Sequence, residues 1–307
     1  MIDLNRLRGV PVRLTTRRQI RRLHESLRLL WESDEKRIRR KYRGELGRYP
    51  DLDNPATYTE KVLWLNLHHR DPRQVVCADK YAVREWVAER VGEDILVPLL
   101  GVYSDADDID FDSLPDAFVI KATHGSGWNL IVPDKSALDW DEAKRSLQEW
   151  LCRSYYAHKR EWQYRDIPHR LIVERFLEDE DGGIPSQYQF FCFRRGEEQT
   201  ILVQVDFDEN TNHRRDYYNL EWKRMPFTSR VPNAEREAAR PERLDDMLEI
   251  VRRFAEDFPF VRVDLFLVRD RIYFGELTFT SGGGMSSFDP PEWDRKLGDL
   301  MGLPETA

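Results

Sequence analysis

Stretches of alternating apolar and polar residues in this chain predict short β-strands, which fall mainly in its second half. In residues 118–135, FVIKATHGSGWNLIVPDK, two apolar runs flank a loop with glycines, so we expect a strand, a tight loop and a second strand. Shorter runs of the same kind predict strands at 170–177, 187–194 and 200–207. The sequence DILVPLLGVYS predicts one more strand ahead of them.

Apolar residues at helical spacing predict helices before and between these strands. The segment NPATYTEKVLWLNLHH predicts a turn followed by a helix, with Thr57 or Thr59 as its cap and Glu60 in its first turn. The segment DKYAVREWVAERVG predicts a helix that ends at Gly92. Further helices are expected near residues 139–157 and 241–257. Because several strands follow one another with few helices between them, we expect an α+β fold rather than a doubly wound sheet.

The last strand pair, in residues 261–284, has the sequence VRVDLFLVRDRIYFGELTFTSGGG and carries charges within apolar runs. If the two runs form a hairpin centred on Asp270, directly opposed residues have numbers that sum to 540. That register pairs Asp264 with Glu276. Like charges with Cβ atoms roughly 4.5–5.5 Å apart destabilise a sheet unless something compensates them. A divalent cation would compensate them, and two carboxylates in an open site suit Mg²⁺ or Mn²⁺.

The same register also pairs Arg262 with Thr278 and Phe266 with Phe274, and all of these side chains would share one face of the hairpin. A second interpretation remains open, in which the aspartate pairs with Arg262 and the glutamate faces solvent as an ordinary strand charge. A slip of one residue would place the two carboxylates on opposite faces. The hairpin alone therefore does not decide between a metal site and a structural ion pair.

Composition limits the class of protein. With 307 residues and 40% apolar content, the chain is long enough for one large domain or two ordinary ones. Its three cysteines, Cys77, Cys152 and Cys192, lie far apart without a CxxC pair, so neither a zinc site nor a disulfide framework is indicated. We find neither an apolar run of about 18 residues nor a signal peptide. A cytoplasmic location is therefore expected.

The net charge of −8 is unevenly distributed along the chain. Residues 1–44 hold fourteen Lys and Arg against five Asp and Glu, a balance of +9, so the remainder carries −17. Apolar residues at helical spacing in this basic segment are Ile20, Leu23, Leu27, Leu30 and Trp31. The predicted helix either packs on the acidic body or contacts a protein partner or the anionic inner face of a membrane. Nucleic-acid binding is not indicated, because no basic stripe with aromatic residues continues beyond the segment.

Three features could belong to a nucleotide site, although none is specific by itself. Lys121 ends the strand FVIK and precedes the loop HGSG, whose glycines would let backbone amides approach phosphate oxygens. Because this loop leads into a strand, it is not the phosphate-binding loop that opens a helix. Lys80 alone would be a surface lysine. Glu174, in RLIVERFLEDE, lies on a strand whose edge could read an adenine or end at the surface.

The order of these features resembles the ATP-grasp superfamily. It runs from the lysine of DK in a predicted helix, through a lysine on a strand before a glycine loop and VERFL, to RVD and a strand that ends in glycines. More closely, NPATYTEKVLWL, DKYAVREWV, VPLLGVY, LPDAFVIKATHGSG, YQFFCF, QVDFDENTNHRRDYY and YFGELTFTSGGG resemble the TupA-like ATP-grasp proteins. That family is linked to the synthesis of teichuronopeptide and other cell-envelope polysaccharides. The resemblance covers about residues 50–290.

The resemblance implies an α+β ATP-grasp fold, in which ATP is held between two α+β lobes, with an N-terminal helical region. We accordingly expect four parts. These are a basic helical segment at 1–48, an N-terminal α/β lobe at 49–117, a central subdomain with the glycine loop at 118–178, and a C-terminal lobe with the metal site at 179–307.

The resemblance also implies which residues bind ATP. Lys80 and Lys121 would contact its phosphates. The loop that closes over the phosphates would consist of His124, Gly125, Ser126 and Gly127. The adenine would be held by Glu174 and the residues that follow it, Arg175, Phe176 and Leu177.

For the reacting end of the site, the resemblance implies that Asp264 and Glu276 bind Mg²⁺, or Mn²⁺, and that Arg262 steadies the transferred phosphoryl group. Thr278 would be the third metal ligand, where the superfamily usually has Asn. A hydroxyl is a weaker oxygen donor than an amide carbonyl, and water could complete the shell. Gln189 is a second departure, because related proteins tend to have a basic residue there.

The implied chemistry is activation of a small-molecule carboxylate by the γ-phosphate of ATP, which gives an acyl phosphate that an amine then attacks. The glycines that would let the substrates approach the backbone closely are Gly282, Gly283 and Gly284. The polar cluster of Asn212, His213, Arg214 and Arg215 either holds an anionic substrate or is a solvated loop. In the first case His213 would help to deprotonate the amine and Arg214 would take part in catalysis.

The expected function is therefore an ATP-dependent carboxylate–amine ligase. It would form an amide on a small acid, a uronic acid or an amino acid in polysaccharide or natural-product synthesis. The alternatives are a kinase of a small molecule or sugar, which would stop at phosphoryl transfer, and a nucleotide-binding scaffold without turnover.

Overall fold

The computed structural model describes residues 32–179, 182–183, 185–207 and 212–305, so the helix predicted around residues 20–31 lies outside the described part. The helices are α1 (Asp34–Leu46), α2 (Tyr58–His68), α3 (Arg73–Ala78), α4 (Val83–Val91), α5 (Trp140–Cys152), α6 (Tyr155–Lys159), α7 (Leu244–Ala255) and α8 (Glu292–Asp299). The strands are β1 (Leu99–Tyr103), β2 (Phe118–Ala122), β3 (Asn129–Val132), β4 (Leu171–Arg175), β5 (Gln187–Arg195), β6 (Glu198–Phe207), β7 (Arg214–Tyr218), β8 (Thr228–Ser229), β9 (Phe260–Val268), β10 (Arg271–Thr278) and β11 (Phe288–Asp289).

The strands form antiparallel sheets, which confirms the predicted α+β class. A four-stranded sheet has the order β1-β4-β2-β3, and a five-stranded sheet has the order β10-β9-β5-β6-β7. Strands β11 and β8 form a separate two-stranded sheet. The first sheet comes from residues 99–175 and the second from residues 187–278, so the two main layers are separate in sequence.

The four-stranded sheet is covered on one side by α5. Alternate residues of β2, Phe118, Ile120 and Ala122, are fully buried, as the period of two predicts. They pack in one apolar cluster with Leu147 of α5. The helix predicted at 139–157 begins at its cap Asp139 but divides after Cys152, so α6 is a separate short helix.

The five-stranded sheet has one face against α7 and the other against α2 and α8. In α7, Leu244, Met247 and Val251 are fully buried at helical spacing and belong to one cluster with Val263 of β9. On the other face, Tyr58 of α2 belongs to a second cluster with apolar residues of the sheet and α8. This second face is covered only in part, and the uncovered part carries the polar residues of the candidate site.

Helix α2 begins as its sequence predicts. Thr57 is the cap, because its hydroxyl accepts the backbone N–H of Glu60 while the Glu60 carboxylate accepts the backbone N–H of Thr57. Thr59, the alternative cap, is instead fully buried and binds Asp294 of α8.

The described part of the basic segment belongs to the folded body. Helix α1 is capped by Ser33 and buries Ile38 and Tyr42 in a cluster with Leu63 of α2. Asp34, at the start of α1, accepts a hydrogen bond from the Tyr156 hydroxyl of α6 at 2.9 Å.

The end of the predicted polar cluster, from Arg214, and the three residues that follow it form an edge strand of the large sheet, β7. Asp216, Tyr217 and Tyr218 are buried there, so this part of the chain is not a solvated loop. All three cysteines are free, and Cys77 and Cys192 are buried. Among the described helices, none combines the length and the apolar character needed to span a bilayer.

Candidate nucleotide and substrate site

A cleft of 330 Å³ lies between the four-stranded and the five-stranded sheet. Residues of both sheets and of the turn before α4 line it. Those predicted from the sequence are Lys80, Lys121, Ser126, Gly127, Glu174, Arg175, Phe176, Leu177, Arg262, Asp264 and Glu276. Val119, Ile131 and Phe266 add apolar surface to its walls. The cleft therefore combines cations, carboxylates and apolar contacts in a volume suited to a small ligand.

Lys80 lies in the turn between α3 and α4 rather than on a helix. Its Nζ donates to the carbonyl of Gly125 at 2.6 Å, which ties this turn to the glycine loop between β2 and β3. Burial lowers the pKa of Lys80, and the negative charge of Glu276 acts in the opposite direction. Lys80 therefore reaches the cleft from one side, with carboxylates facing it.

Glu174 of β4 holds two cations in place. Its Oε2 lies 2.8 Å from Nζ of Lys121, and its Oε1 accepts from Arg84 at 2.9 Å. Both oxygens of Glu174 are therefore engaged with cations, and the segment from Arg175 to Leu177 continues the wall of the cleft beyond it. Arg84, on α4, was not among the residues proposed from the sequence.

The first half of the glycine loop packs into the body, and only its second half faces the cleft. His124 is fully buried, stacks on His169 at 3.7 Å between ring centroids and lies 3.0 Å from the carbonyl of Trp150 through Nε2. Burial lowers the pKa of His124 to about 4. Ser126 and Gly127 line the cleft, whereas His124 and Gly125 do not.

Polar side chains form a row across the large sheet, with one residue on each strand. In register from β10 to β7, the row consists of Glu276, Asp264, Gln189, Gln204 and Tyr217. Gln204 donates to Gln189 at 2.6 Å, and Asp264 is almost completely buried. At one end of the row Tyr217 packs in the cluster with α2 and α8, whereas Gln189, Asp264 and Glu276 at the other end line the cleft.

Arg262 bridges the two carboxylates at that end. Its Nε and one terminal nitrogen lie 2.7 and 2.6 Å from the two oxygens of Asp264, and the same terminal nitrogen lies 3.0 Å from Glu276. Burial raises the pKa of Asp264 to about 7, against the opposing charge of Arg262. Burial acts likewise on Glu276, but Lys80 and Arg262 outweigh it, so the pKa of Glu276 is lowered. The ion pair considered as an alternative is therefore present, and it includes both acids.

The predicted register of the hairpin is confirmed at the carboxylates and wrong nearer the turn. Glu276 pairs with Asp264, as expected, but Phe274 pairs with Leu265 rather than with Phe266. The turn consists of Arg269 and Asp270, so the numbers of opposed residues nearest the turn sum to 539. A bulge at Gly275 adds one residue to β10 and restores the sum of 540 beyond it.

The two carboxylates fit a hard divalent cation by their chemistry. Asp264 and Glu276 lie on neighbouring strands, line the same cleft and are oxygen donors. Thr278 donates its hydroxyl hydrogen to Glu276 at 3.1 Å. Among the described residues, no group of three or more His, Cys, Asp or Glu could form a cation site. The two carboxylates alone match Mg²⁺, because this ion takes few protein carboxylates and keeps waters and phosphate oxygens as its other ligands.

A second cavity of 560 Å³ adjoins the cleft, and Ser126, Arg262 and Glu276 line both. Gly282 and Gly283 line the second cavity, as does Thr278. Gly284 does not, because it packs against Leu63, where an added Cβ would lie 2.6 Å from a methyl carbon.

The predicted polar cluster lies at the start of β7. His213 and Arg215 contact one oxygen of Asp206, at 2.7 and 2.6 Å, and the other oxygen accepts from Gln204. Asn212 is exposed and Arg214 is half-buried. The four side chains line neither the cleft nor the second cavity. They are connected to the polar row through Asp206 and Gln204.

Several residues of the second cavity were missed by the sequence analysis. They include Lys41, Tyr155, Lys159, Glu161, Tyr164 and Arg230. They come from α1, from α6, from the segment after α6 and from the residue that follows β8. No local sequence pattern joins them.

Comparison with known proteins gives one match to a protein family. The family profile described as TupA-like ATPgrasp matches residues 60–302, which is more than half of the chain. No curated protein matches the sequence.

Solved structures of similar fold include D-alanine–D-alanine ligase from Helicobacter pylori, with a TM-score of 0.48 and 14% identity, covering 81% of this chain and 70% of that one. N5-carboxyaminoimidazole ribonucleotide synthetase from Thermus thermophilus has a TM-score of 0.39 and 13% identity, covering 81% and 53%. Phosphoribosylamine–glycine ligase from Thermotoga maritima has a TM-score of 0.39 and 12% identity, covering 67% and 48%. The chain thus spans about half the length of the latter two.

Proposed function

Because the chain belongs to the TupA-like ATP-grasp family, and ATP-grasp proteins are ATP-dependent ligases that form C–N bonds, we propose that it joins a small-molecule carboxylate to an amine with consumption of ATP. The acid would be a small acid, a uronic acid or an amino acid in polysaccharide or natural-product synthesis. The reaction would take place in the cytoplasm, and the basic residues 1–44 could bring the protein to the inner face of the membrane.

One observation carries this proposal. Lys80 and Lys121 face Asp264 and Glu276 across the same cleft, and a second polar cavity opens next to these carboxylates. Phosphoryl transfer depends mainly on positioning and on neutralising charge, so an enzyme of this class needs cations and a metal site more than a protein nucleophile. The cleft provides that arrangement, and the adjoining cavity has room for the second substrate.

Each part of the cleft would have one task. Lys80 and Lys121 would bind the ATP phosphates beneath Ser126 and Gly127, and the segment from Arg175 to Leu177 would hold the base. Arg262 would bind the γ-phosphoryl group. Asp264 and Glu276 would hold Mg²⁺, or Mn²⁺, with Thr278 beside them, and the bound cation would neutralise phosphate charge.

The remaining residues proposed from the sequence would act at the edge of this site. Gly282 and Gly283 would let the acid approach the backbone in the second cavity. Asn212, His213, Arg214 and Arg215 would hold an anionic part of a substrate that extends past β7. The boundaries at residues 48, 117 and 178 would separate the basic segment, the N-terminal lobe, the central subdomain and the C-terminal lobe, and β1 and β4 join the second and third of these parts in one sheet.

The test is an assay with MgATP, a panel of small carboxylates and hydroxylamine as a general nucleophile. A ligase should release ADP and phosphate and form a hydroxamate. If the carboxylate is labelled with ¹⁸O, one labelled oxygen should appear in the phosphate, because the acyl C–O bond breaks when the nucleophile attacks. A stable phosphorylated product without hydroxamate would establish the kinase instead. No ATP consumption with any acid would favour the scaffold.

Two variants connect the activity to the cleft. Lys80→Ala and Asp264→Asn should each reduce turnover about 100-fold or more, because the first removes a cation that would neutralise phosphate charge and the second removes a carboxylate that would hold the metal ion. Lys144→Ala is the matched control, since this lysine pairs with Asp107 at 3.1 Å and lies outside both cavities. Variants of the cleft that retain full turnover would contradict the proposed site.

A further inference from the structure

The second cavity contains a buried carboxylate, Glu161, that forms no direct ion pair with a described Lys, Arg or His. Glu161 lines the cavity and is 6% exposed. Within the described residues, its carboxylate accepts one weak hydrogen bond, from the Tyr155 hydroxyl at a distance of 3.5 Å. In the described part of the chain, no Lys, Arg or His lies within 4.0 Å of its oxygens. A buried acid without a direct ion pair costs stability, and Lys159 and Lys41 act on Glu161 only over a longer distance, so a cationic group of a ligand would supply the missing direct partner.

The backbone around Glu161 is held in place from both sides. The preceding residue, Arg160, has a left-handed conformation with φ of 62°, which is uncommon for a residue with a side chain. Asn66 of α2 donates to the carbonyl of Arg160 at 2.8 Å and accepts from the backbone N–H of Trp162 at 3.3 Å. The two peptides that flank Glu161 are thus fixed by one buried side chain. The backbone that carries Glu161 is therefore held in one orientation by the fold.

The remaining charges of the cavity are mainly positive. Lys41 of α1, Lys159 at the end of α6 and Arg230 line it together with Glu161. Arg230 is anchored by the carbonyl of Gly282, to which it donates at 2.6 Å. The cavity therefore offers one buried acceptor for a positively charged group and several cations for a negatively charged group.

From this arrangement we propose that the second cavity binds the amine substrate, that Glu161 pairs with its ammonium group, and that Lys41, Lys159 and Arg230 bind an acid group on the same molecule. The amine would then belong to the amino-acid class, with an ammonium and an acid group. This inference rests on the ligase function proposed above and specifies its nucleophile.

The step at Glu161 balances in protons and bonds. The ammonium group transfers one proton to the Glu161 carboxylate, and the neutral nitrogen attacks the acyl carbon. A C–N bond forms, the C–O bond to phosphate breaks, and phosphate leaves with the electron pair and takes up the second proton, which the nitrogen loses as the amide forms. Burial raises the pKa of Glu161 to about 7, against the charges of Lys159 and Lys41, so its carboxylate is basic enough to accept the proton. The other ionisable groups that face it are Tyr155, Tyr164 and Glu276.

The experiment compares the wild type with Glu161→Gln in the hydroxamate assay and in amide formation. The probes are α-amino acids, each matched with the amine that lacks its carboxylate, such as alanine with ethylamine. For the wild type, kcat/KM should be roughly 10-fold or more higher for the amino acid. Glu161→Gln should lower kcat/KM for the amino acid roughly 10- to 100-fold, but lower hydroxamate formation much less, because hydroxylamine carries no charge at neutral pH.

Two further variants complete the test. Lys41→Gln combined with Lys159→Gln should reduce the preference for the amino acid over its matched amine. Glu142→Gln, an exposed glutamate of α5 outside the cavity, should change neither reaction. Hydroxamate formation by Glu161→Gln also shows that this variant is folded.

The failure of this inference is distinguishable from failure of the ligase function. If the wild type forms hydroxamates but Glu161→Gln keeps its kcat/KM for amino acids, or if amino acids and matched amines react equally, the assignment of the cavity is overturned. If the wild type forms no hydroxamate and consumes no ATP with any acid, the proposed ligase function itself fails, and the assignment of the cavity fails with it.

Discussion

The position of one glycine determines which residues face each other at the acidic end of the cleft. Without the bulge at Gly275, the register near the turn would continue and Glu276 would oppose Val263 instead of Asp264. The bulge brings the glutamate opposite the aspartate, where Arg262 reaches both. At this position a Cβ would lie 2.9 Å from the backbone oxygen of Asp264. The close approach of two strands therefore requires glycine here.

We predict that Gly275→Ala destabilises the protein by about 1–3 kcal/mol, because the added methyl group forces the bulge apart. The same shift would move Glu276 away from Asp264, so ATP consumption should fall as well. Urea denaturation at constant pH measures the first effect, and initial rates measure the second.

Gly44→Ala is the control for this substitution. Gly44 lies in α1 with no atom within 4 Å of an added Cβ, so alanine should stabilise the helix by up to about 1 kcal/mol. Equal stability of Gly275→Ala and the wild type would contradict the role given to the bulge.

The second residue-scale prediction concerns stability and pH. The pKa of Glu161 in the folded protein, about 7, lies above its ordinary value of 4.5, so folding favours the protonated form. This contribution is complete below about pH 4.5 and is lost as the pH rises through about 7. Glu161→Gln cannot ionise. Relative to the variant, the wild type should therefore lose about 3 kcal/mol of unfolding free energy between pH 4.5 and pH 8.

Chemical denaturation at several values across this range measures the difference directly. Parallel stability curves for the two proteins would show that Glu161 is not buried as described. At pH 8 we therefore expect Glu161→Gln to be more stable than the wild type but to use the amine substrate less well. This combination is typical of a residue that serves function rather than folding.

At the scale of elements, the sequence predicts the helices, strands and turns that neighbouring residues determine. The hairpin of β2 and β3, the cap of α2 at Thr57 and the end of α4 at Gly92 all follow from alternation, capping and glycine signals in neighbouring residues. Strand β7 was missed because its sequence, RRDYY, is polar at one end and gains its burial from pairing with β6. The division between α5 and α6 was missed because helical spacing continues across it.

Gly127, in the loop between β2 and β3, gives a prediction about an element. Its φ is +75°, and an added Cβ would meet no atom within 4 Å, so Gly127→Ala has only backbone strain to overcome. We expect a loss of about 1 kcal/mol in stability. If the loop covers the ATP phosphates, its altered conformation should also raise KM for ATP several-fold.

Gly47→Ala separates these two effects. Gly47, which follows α1, has a φ of +73° and equally open surroundings, but it lies outside both cavities. It should show the same loss of stability with an unchanged KM for ATP. The same KM for both variants would remove the loop from the nucleotide site.

At the scale of the whole molecule, the site is assembled from distant segments, and this decides how much of it could be predicted. The order of Lys80, Lys121, Glu174, Asp264 and Glu276 along the chain pointed to one cleft, because the family resemblance supplied their common context. The second cavity had no such context. Its Lys41 and Glu161 are 120 positions apart in sequence and meet only because α1 and α6 pack on the same side of the body.

The two ends of the described chain are joined by a buried contact between α2 and α8. Asp294 accepts from the backbone N–H and the hydroxyl of Thr59, at 2.9 and 2.8 Å, and lies 3.4 Å from Arg48. Lys61 donates to the carbonyls of Gly298 and Met301 at the end of α8. Helix α2 also carries Asn66, which holds the peptides around Glu161. The contact between the chain ends therefore supports the wall of the second cavity.

We predict that Asp294→Ala lowers the free energy of unfolding by roughly 2–4 kcal/mol, because it leaves the buried N–H of Thr59 without an acceptor and Arg48 with one fewer partner. Asp299→Ala is the control on the same helix. Asp299 is an exposed partner of Arg295, four residues away, so its loss should change stability by less than about 0.5 kcal/mol. Denaturation followed by tryptophan fluorescence and by circular dichroism should give one common midpoint for Asp294→Ala, since α8 stabilises α2 and with it the sheet beneath. A midpoint equal to that of Asp299→Ala would show that the two ends of the chain contribute independently to the fold.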